Sequence, residues 1–205
     1  MLGLPKTTEL SKALPKKAIF DRFKPSPADR KLFDEQINRM SIVAEISPQT
    51  VAIKASVEVS AVYVVLVTLK TAECDKKNIA LLSKLIDQRM LFVLQFGDNA
   101  RLAVYRADKV LVSEAKPLSD WKLNLSGLDL EAVWENAIAQ IGGIDLAGGK
   151  DLDATIAEND RREKLEKQIA ALEKKAMTQR QPRRKWELAE EIRRLRIELG
   201  GTTNE

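Results

Sequence analysis

The stretch Val57–Val104 decides the fold, because its hydrophobic period changes twice along the chain. Its three pieces read VEVSAVYVVLVTLK (57–70), TAECDKKNIALLSKLIDQR (71–89) and MLFVLQFGDNARLAV (90–104). The first is dense in β-branched residues and predicts a central strand covered on both faces. The second has helical spacing with Asp75 as a cap, and the third predicts two strands around a turn at Gly97–Asn99. Together they predict a strand, helix, strand-hairpin unit that forms the core.

Elements on either side of this stretch complete a predicted α+β domain over residues 1–146, with a mixed central sheet and flanking helices. Ser26 caps a helix whose apolar stripe runs from Phe33 to Ala44, until Ser47–Pro48 stops it. The other expected elements are a short strand at Val51–Ile53 beside the central one, an edge strand at Lys109–Glu114, an extended segment at Trp121–Leu128 and a helix at Asp129–Ile141.

The N-terminal segment 1–24 is basic, with six lysines and arginines against Glu9 and Asp21. Its cations could touch phosphates. The alternative is a solvated lead-in whose aromatic residues, such as Phe20 and Phe23, pin it to the core.

The composition excludes several kinds of catalytic site. The chain of 205 residues contains no histidine and one cysteine, so it cannot build a Ser-His-Asp or Cys-His site and lacks the usual zinc ligands. Cys74 is expected to be an incidental thiol, and Gly142–Gly143 is expected to stop a helix, since no strand precedes it as in a dinucleotide fingerprint. No catalytic residue, metal site or cofactor is predicted. The net charge of +4 is mild.

No segment of the sequence predicts a membrane span or a secretory signal. The longest apolar run, Val59–Leu69, falls well short of the roughly 20 residues that a bilayer requires. The N-terminus lacks an apolar segment followed by a small-residue cleavage site. The sequence therefore predicts a cytoplasmic protein.

The order of elements is similar in outline to a restriction-endonuclease-like core, in which an Asp and a Glu-x-Lys triplet hold magnesium. The triplet would fall at Thr68–Lys70, where the acid is missing, and no Asp lies between Ile46 and Cys74. If the fold is of this type, its magnesium site is degenerate. A magnesium-dependent nuclease with an atypical site is therefore an alternative function.

The last fifth of the chain predicts a helical hairpin over residues 157–199, after a linker at 147–156 and before a tail at 200–205. Apolar residues follow a coiled-coil seam in two arms, and Pro182 breaks the helix between them. The seam positions are Leu165, Ile169, Leu172 and Ala176 in the first arm and Leu188, Ile192, Leu195 and Leu199 in the second. Two antiparallel helices joined at 178–181 fit this pattern, and the arms could close within one chain or pair between chains.

The joint of the hairpin, KKAMTQRQPRRKW, carries six cations and no acid. The predicted binding residues are Lys174, Lys175, Arg180, Arg183, Arg184, Lys185 and Trp186. Such a tip could hold phosphates or an acidic protein surface. The alternative is that the cations solvate a turn and Trp186 packs between the arms.

Five segments carry a family resemblance that spans nearly the whole chain. They are LGLPKTTELSKALPKKAIF (2–20), SIVAEISPQTVAI (41–53), LLSKLIDQRMLFVLQF (81–96), LSGLDLEAVWENAIAQI (125–141) and LEKQIAALEKKAMTQRQPRRKWELAEEIRRLRIEL (165–199). In their order and spacing they resemble the prokaryotic domain of unknown function DUF4391. Genes of that family lie near helicases and DNA methyltransferases in phage-defence neighbourhoods. The resemblance implies an accessory subunit for DNA defence.

The sequence therefore leaves three functions open. The first is a non-catalytic accessory subunit of an anti-phage or DNA-processing complex, binding a helicase or methyltransferase partner, or DNA, through the hairpin. The second is the atypical nuclease, and the third is a homodimeric coiled-coil scaffold. Copurification from the native host distinguishes the first from the others.

Overall fold

The computed structural model describes residues 1–145 and 151–201, and the chain divides into two compact units, Met1–Gly149 and Lys150–Glu205. The first unit mixes strands and helices, as predicted, and the described part of the second is helical. Residues 147–150 of the predicted linker and 202–205 of the predicted tail lie outside the described residues.

The first unit is built on a seven-stranded open sheet. Its strands are β1 Glu9–Ala13, β2 Ile37–Ile46, β3 Val62–Leu69, β4 Arg89–Phe96, β5 Asn99–Arg106, β6 Lys109–Val112 and β7 Lys116–Pro117. They lie in the order β1-β2-β3-β4-β5-β6, and β7 pairs with β5. β3 and β4 are parallel, whereas the other strand pairs of the described residues are antiparallel.

Six α-helices accompany these strands in the described residues. They are α1 Lys16–Phe23, α2 Pro27–Gln36, α3 Lys76–Leu82, α4 Leu130–Gly142, α5 Leu152–Thr178 and α6 Pro182–Gly201. Short 3₁₀ turns lie at Lys6–Thr8 and Leu118–Asp120. The predicted caps are confirmed: Ser26 accepts a hydrogen bond from the backbone N of Asp29, and Asp75 accepts one from the backbone N of Lys77. Asp129, where a helix was predicted to begin, accepts one from the backbone N of Ala132.

The central strand is β3, as the sequence predicted. It pairs with β2 on one side and β4 on the other, and its Val64, Val65 and Val67 are fully buried. A parallel neighbour cannot follow through a tight turn, so the chain crosses over through α3 before it enters β4. The next connection is a tight turn at Gly97–Asp98, where Gly97 has a φ of 59°.

Helices cover both faces of the sheet. On one face α1, α2 and α3 bury side chains such as Ile19, Phe33 and Ile79 against Val65 and Phe92. On the other face α4 packs on β5 and β6, with its Trp134 and Ile138 buried. The alternating residues of β4 therefore enter two different apolar layers, as expected for a strand covered on both sides.

The predicted helix from Ser26 to Ala44 is wrong in its second half. Only Pro27–Gln36 is helical, and residues 37–46 form β2, the longest strand of the sheet. The helix ends because Ile37 adopts extended backbone and the carbonyl of Gln36 accepts a hydrogen bond from the backbone N of Lys70. The pairing of β2 with β3 overrides the helical spacing of the apolar residues.

Other element boundaries also differ from the predictions. β3 begins at Val62, and Val57, predicted to start it, is fully exposed. The predicted strand at Val51–Ile53 is not formed, because β2 occupies the position beside β3. The edge strand at Lys109 is confirmed, and β1 was not predicted. The segment Trp121–Leu128 is irregular, with Trp121 buried and its indole N–H donating to the carbonyl of Ala100.

The second unit consists of α5 and α6, which contact each other and form a hairpin. Helix α5 begins at Leu152, inside the predicted linker, and α6 still includes Gly200 and Gly201, predicted to lie beyond its end. The seam residues of the first arm, Leu165 and Ile169, are buried. The remaining seam residues, Leu172, Ala176, Leu188, Ile192, Leu195 and Leu199, are half-buried. The apolar stripes thus face the contact between the two helices.

Cys74 packs half-buried against the apolar layer beneath α1, α2 and α3. Burial raises the pKa of the Cys74 thiol to about 11, while a hydrogen bond with Asn78 lowers this pKa and the charge of Asp75 raises it. The neutral thiol is therefore the form present at physiological pH.

We expect Cys74 to react with iodoacetamide at pH 8 about two orders of magnitude more slowly in the folded protein than in urea. A pKa of about 11 leaves roughly one thiol in a thousand ionised, against about a quarter at the ordinary pKa of about 8.5. The folded rate should rise as the pH approaches 11. Because the folded pKa lies above the unfolded one, the stabilisation from this thiol is present at neutral pH and is lost as pH rises through 11. Equal rates in the two states would contradict this account.

Candidate partner or nucleic-acid interface

The candidate interface lies where α5 ends and α6 begins. Helix α5 ends at Thr178, three residues connect the helices, and Pro182 is the first residue of α6. Proline is favoured there because the first turn of a helix needs no backbone N–H for its own hydrogen bonds. The break that the sequence predicted at Pro182 is therefore confirmed. We call residues 174–186 the tip.

The predicted binding residues all lie in the tip and are all exposed. They are Lys174 and Lys175 at the end of α5, Arg180 in the connection, and Arg183, Arg184, Lys185 and Trp186 at the start of α6. Among the described residues, one of these cations forms an ion pair: the Arg183 Nε lies 3.3 Å from Glu187 Oε1. An ion pair this exposed contributes little to stability. The tip thus keeps most of its positive charge uncompensated.

The first turn of α6 adds to this positive field. It carries Arg183, Arg184 and Lys185 and no acidic residue. A helix N-terminus carries a partial positive charge, so cations are disfavoured there and anions are favoured. The arrangement costs the isolated helix stability and raises the attraction of the tip for an anionic partner.

Trp186 does not pack between the arms. Its side chain is 67% exposed, so the alternative in which it fills the seam is wrong. Met177, at the end of α5, is 83% exposed. Large exposed apolar side chains beside arginines are typical of protein interfaces, where tryptophan and arginine are enriched at the energetically dominant positions.

Away from the tip, the arms neutralise their charges. Arg161 donates to Glu198 at 2.7 Å, and Arg196 donates to Glu173 at 2.6 Å, so two ion pairs connect α5 with α6. The hydrogen bond with Glu198 raises the pKa of the Arg161 guanidinium above its usual value. The tip differs from the arms because residues 174–186 contain six cations and no acidic residue.

The residues compared with a nuclease triplet do not form a metal site. Lys70 follows β3 and its Nζ donates to the backbone carbonyl of Asp34 at 2.7 Å, while Thr68 replaces the acid. Among residues 1–145 and 151–201, no three His, Cys, Asp or Glu side chains lie close enough together to hold a metal ion. The end of β3 therefore carries a lysine contact in place of a carboxylate pair.

Sequence reasoning missed that Lys16 and Lys70 both reach Asp34. Lys16 Nζ lies 2.9 Å from Asp34 Oδ1, and Lys70 binds the carbonyl of the same residue. The three residues lie on different elements far apart in the chain, so no local period or motif could have indicated the contact.

The comparisons with known proteins identify a family for the chain. No helix in the described part of the chain is both long and apolar enough to cross a membrane. No curated protein and no solved structure matches the chain significantly. A family profile, by contrast, matches residues 2–199, nearly the whole chain. The resemblance inferred from the sequence is thereby confirmed, and the chain belongs to the family described as Domain of unknown function (DUF4391).

Proposed function

We propose that this protein is a non-catalytic accessory subunit of a prokaryotic anti-phage defence or DNA-processing complex, and that it acts in the cytoplasm. In this proposal the tip binds either an acidic surface of a helicase- or methyltransferase-class partner or the phosphates of DNA. The defence setting is taken from the gene neighbourhoods that the family resemblance implies. The surface of the hairpin supports the mode of action.

One observation carries the proposal: the tip of the α5–α6 hairpin combines six exposed cations with an exposed tryptophan. Uncompensated charge steers a charged partner and speeds association, whereas an aromatic anchor slows dissociation once it is buried. If the cations of the tip served only to keep the turn solvated, an exposed Trp186 would have no role there. The combination favours recognition.

The two partner classes differ in how they use the tip. A phosphate backbone would be held mainly by the arginines and lysines, so its affinity would depend steeply on salt. A protein partner would also bury Trp186, because fully desolvated aromatic residues account for much of the affinity in protein interfaces.

A homodimeric coiled-coil scaffold is a second candidate, favoured by the half-buried seam. Leu172, Leu188, Ile192 and Leu195 keep part of their surface exposed within the hairpin. A second copy could cover these residues and complete a seam of the coiled-coil type.

A nuclease is not favoured. We expect purified protein incubated with plasmid DNA and Mg²⁺ or Mn²⁺ to leave the DNA uncut, because Thr68 stands where an acid is needed and Lys70 contacts a backbone carbonyl. Gel electrophoresis of the plasmid measures this. Cleavage that disappears in Lys70→Ala would overturn the expectation and restore the nuclease.

For the tip, we expect the triple variant Arg180→Glu, Arg183→Glu and Arg184→Glu to lose copurifying partners or DNA while folding normally. The matched control is Lys76→Glu, Lys77→Glu and Lys84→Glu, which makes the same charge change at exposed positions of the other unit. Surface changes of this kind usually alter stability by less than about 0.5 kcal/mol each. Mass spectrometry and nucleic-acid quantification of affinity-purified samples from the native host measure the bound partners.

The outcomes separate the candidates. Loss of a protein in both the tip variant and Trp186→Ala identifies a protein partner, and loss of DNA with steep salt dependence identifies a phosphate backbone. Wild-type binding in the tip variant would refute the proposed role of the tip. Sedimentation of the same samples shows whether two copies pair, as the scaffold requires.

A further inference from the structure

A second group of cations lies on the first unit, where α1, α2 and the end of β3 meet. Lys16 of α1 donates to Asp34 Oδ1 of α2 at 2.9 Å and also to the carbonyl of Ile37. Lys70, directly after β3, donates to the carbonyl of Asp34 at 2.7 Å. Two ammonium groups from distant parts of the chain therefore converge on one residue.

Arg30 joins these lysines through an aromatic support. Its guanidinium lies 4.7 Å from the ring centre of Phe20, which packs edge-to-face on Phe33 at 5.4 Å. The Lys16 ammonium lies 6.0 Å from the ring centre of Phe33. Phe33 is fully buried, so the support is part of the core. A guanidinium held over a ring loses less conformational entropy when it binds an anion. We call Lys16, Arg30 and Lys70 the cation cluster.

The charge of the cation cluster is only partly compensated. Asp34 contributes one carboxylate to three cations, and among the described residues no carboxylate forms an ion pair with Arg30 or Lys70. The other acids of α2 are engaged locally: Asp29 accepts a hydrogen bond from Ser26, and Glu35 pairs with Lys31 at 3.8 Å. The cluster keeps a net positive charge in an exposed position.

The cluster lies at the carboxyl end of β3. Lys70 directly follows this strand, which is parallel to β4. The lysine contacts also fix the end of β3 against α2. Lys16 and Arg30 are held on helices, which position side chains more rigidly than loops do, and Lys70 directly follows β3.

We propose that the cation cluster binds the phosphodiester backbone of a nucleic acid. Arg30 and Lys70 are exposed, so a chain of phosphates can reach them without entering a cavity. Among the described residues, no large apolar side chain of α1 or α2 is exposed. A protein partner would require such an anchor, whereas a phosphate backbone requires only cations and hydrogen-bond donors. The surface lies on the first unit, so the inference does not depend on the role proposed for the tip.

The test compares the full-length double variant Arg30→Gln and Lys70→Gln with the matched control Lys84→Gln and Arg101→Gln. Both variants remove one lysine and one arginine charge, and all four residues are exposed. Lys16 is left unchanged because its contacts connect α1 to α2. Fluorescence anisotropy measures the affinity of each protein for a labelled 20-base-pair DNA duplex and for a labelled 20-nucleotide RNA, at salt concentrations from 50 to 200 mM.

We expect the cluster variant to bind duplex DNA more weakly and with a shallower salt dependence than the wild type or the control. Two lost phosphate contacts reduce the slope of log affinity against log salt by about 1.8, so the wild type loses about twelve times more affinity than the variant over this range. The charge-conserving variant Arg30→Lys and Lys70→Arg should keep the wild-type slope. That result shows that the positive charge at these two positions, and not the identity of either side chain, sets the slope.

Three results would overturn the proposal: no binding of either nucleic acid by the wild type, equal slopes in wild type and cluster variant, or an equal loss in the matched control. Binding of anionic vesicles or a polyglutamate peptide at the same strength as the duplex would also overturn it, because the surface would then select negative charge alone. The triple tip variant is measured in parallel. Binding that depends on the tip and not on the cluster would leave the proposed function standing and refute this inference.

Discussion

The pairing of β3 with its two neighbours is the interaction on which the first unit depends. β3 contributes backbone hydrogen bonds to an antiparallel strand on one side and to a parallel strand on the other. The parallel pair requires a crossover, which places α3 on the same face as α1 and α2. The antiparallel pair requires residues 37–46 to be extended, so it ends α2 at Gln36. Lys70 then leaves the sheet beside α2 and reaches Asp34.

The second unit is stabilised in another way. Its two helices share an apolar seam that is only half-buried over much of its length, and two ion pairs connect them. Exposed ion pairs contribute little, so the seam carries most of the stabilisation. The tip contributes least to the stability of the hairpin, since three of its six cations, Arg183, Arg184 and Lys185, occupy the first turn of α6, where the helix dipole disfavours them. The proposal that the tip binds an anionic partner gives these charges a role that the stability of the helix does not.

The sequence predicted those parts of the fold whose patterns have one interpretation. β3 is too rich in β-branched residues for a strand covered on one face only, and Asp75 marks the start of α3 as a cap. Residues 37–46 fit two periods: Ile37, Met40 and Ala44 follow a helical spacing, whereas Met40, Ile42, Ala44 and Ile46 alternate as in a strand. Pairing with β3 favours the extended conformation over the helix. No local pattern in the sequence contains that information.

The tip and the cation cluster also differ in how far the sequence could predict them. The tip is contiguous in sequence and charged residues are normally solvated, so its exposure could be predicted. The exposure of Trp186 could not, because an aromatic residue near an apolar seam packs as readily inside as outside. The cation cluster could not be predicted from the sequence, since Lys16, Arg30 and Lys70 come together only when α1, α2 and β3 are assembled.

The central claim, that the hairpin binds its partner through the tip, is tested most directly by photo-crosslinking in native host cells. A photoreactive phenylalanine derivative is placed at position 186 and, separately, at position 57, because both native side chains are largely exposed. Protease and nuclease digestion then identify whether an adduct contains protein or nucleic acid. We predict a discrete adduct from position 186 and none from position 57. Equal yields at both positions, or no adduct from position 186, would contradict the account.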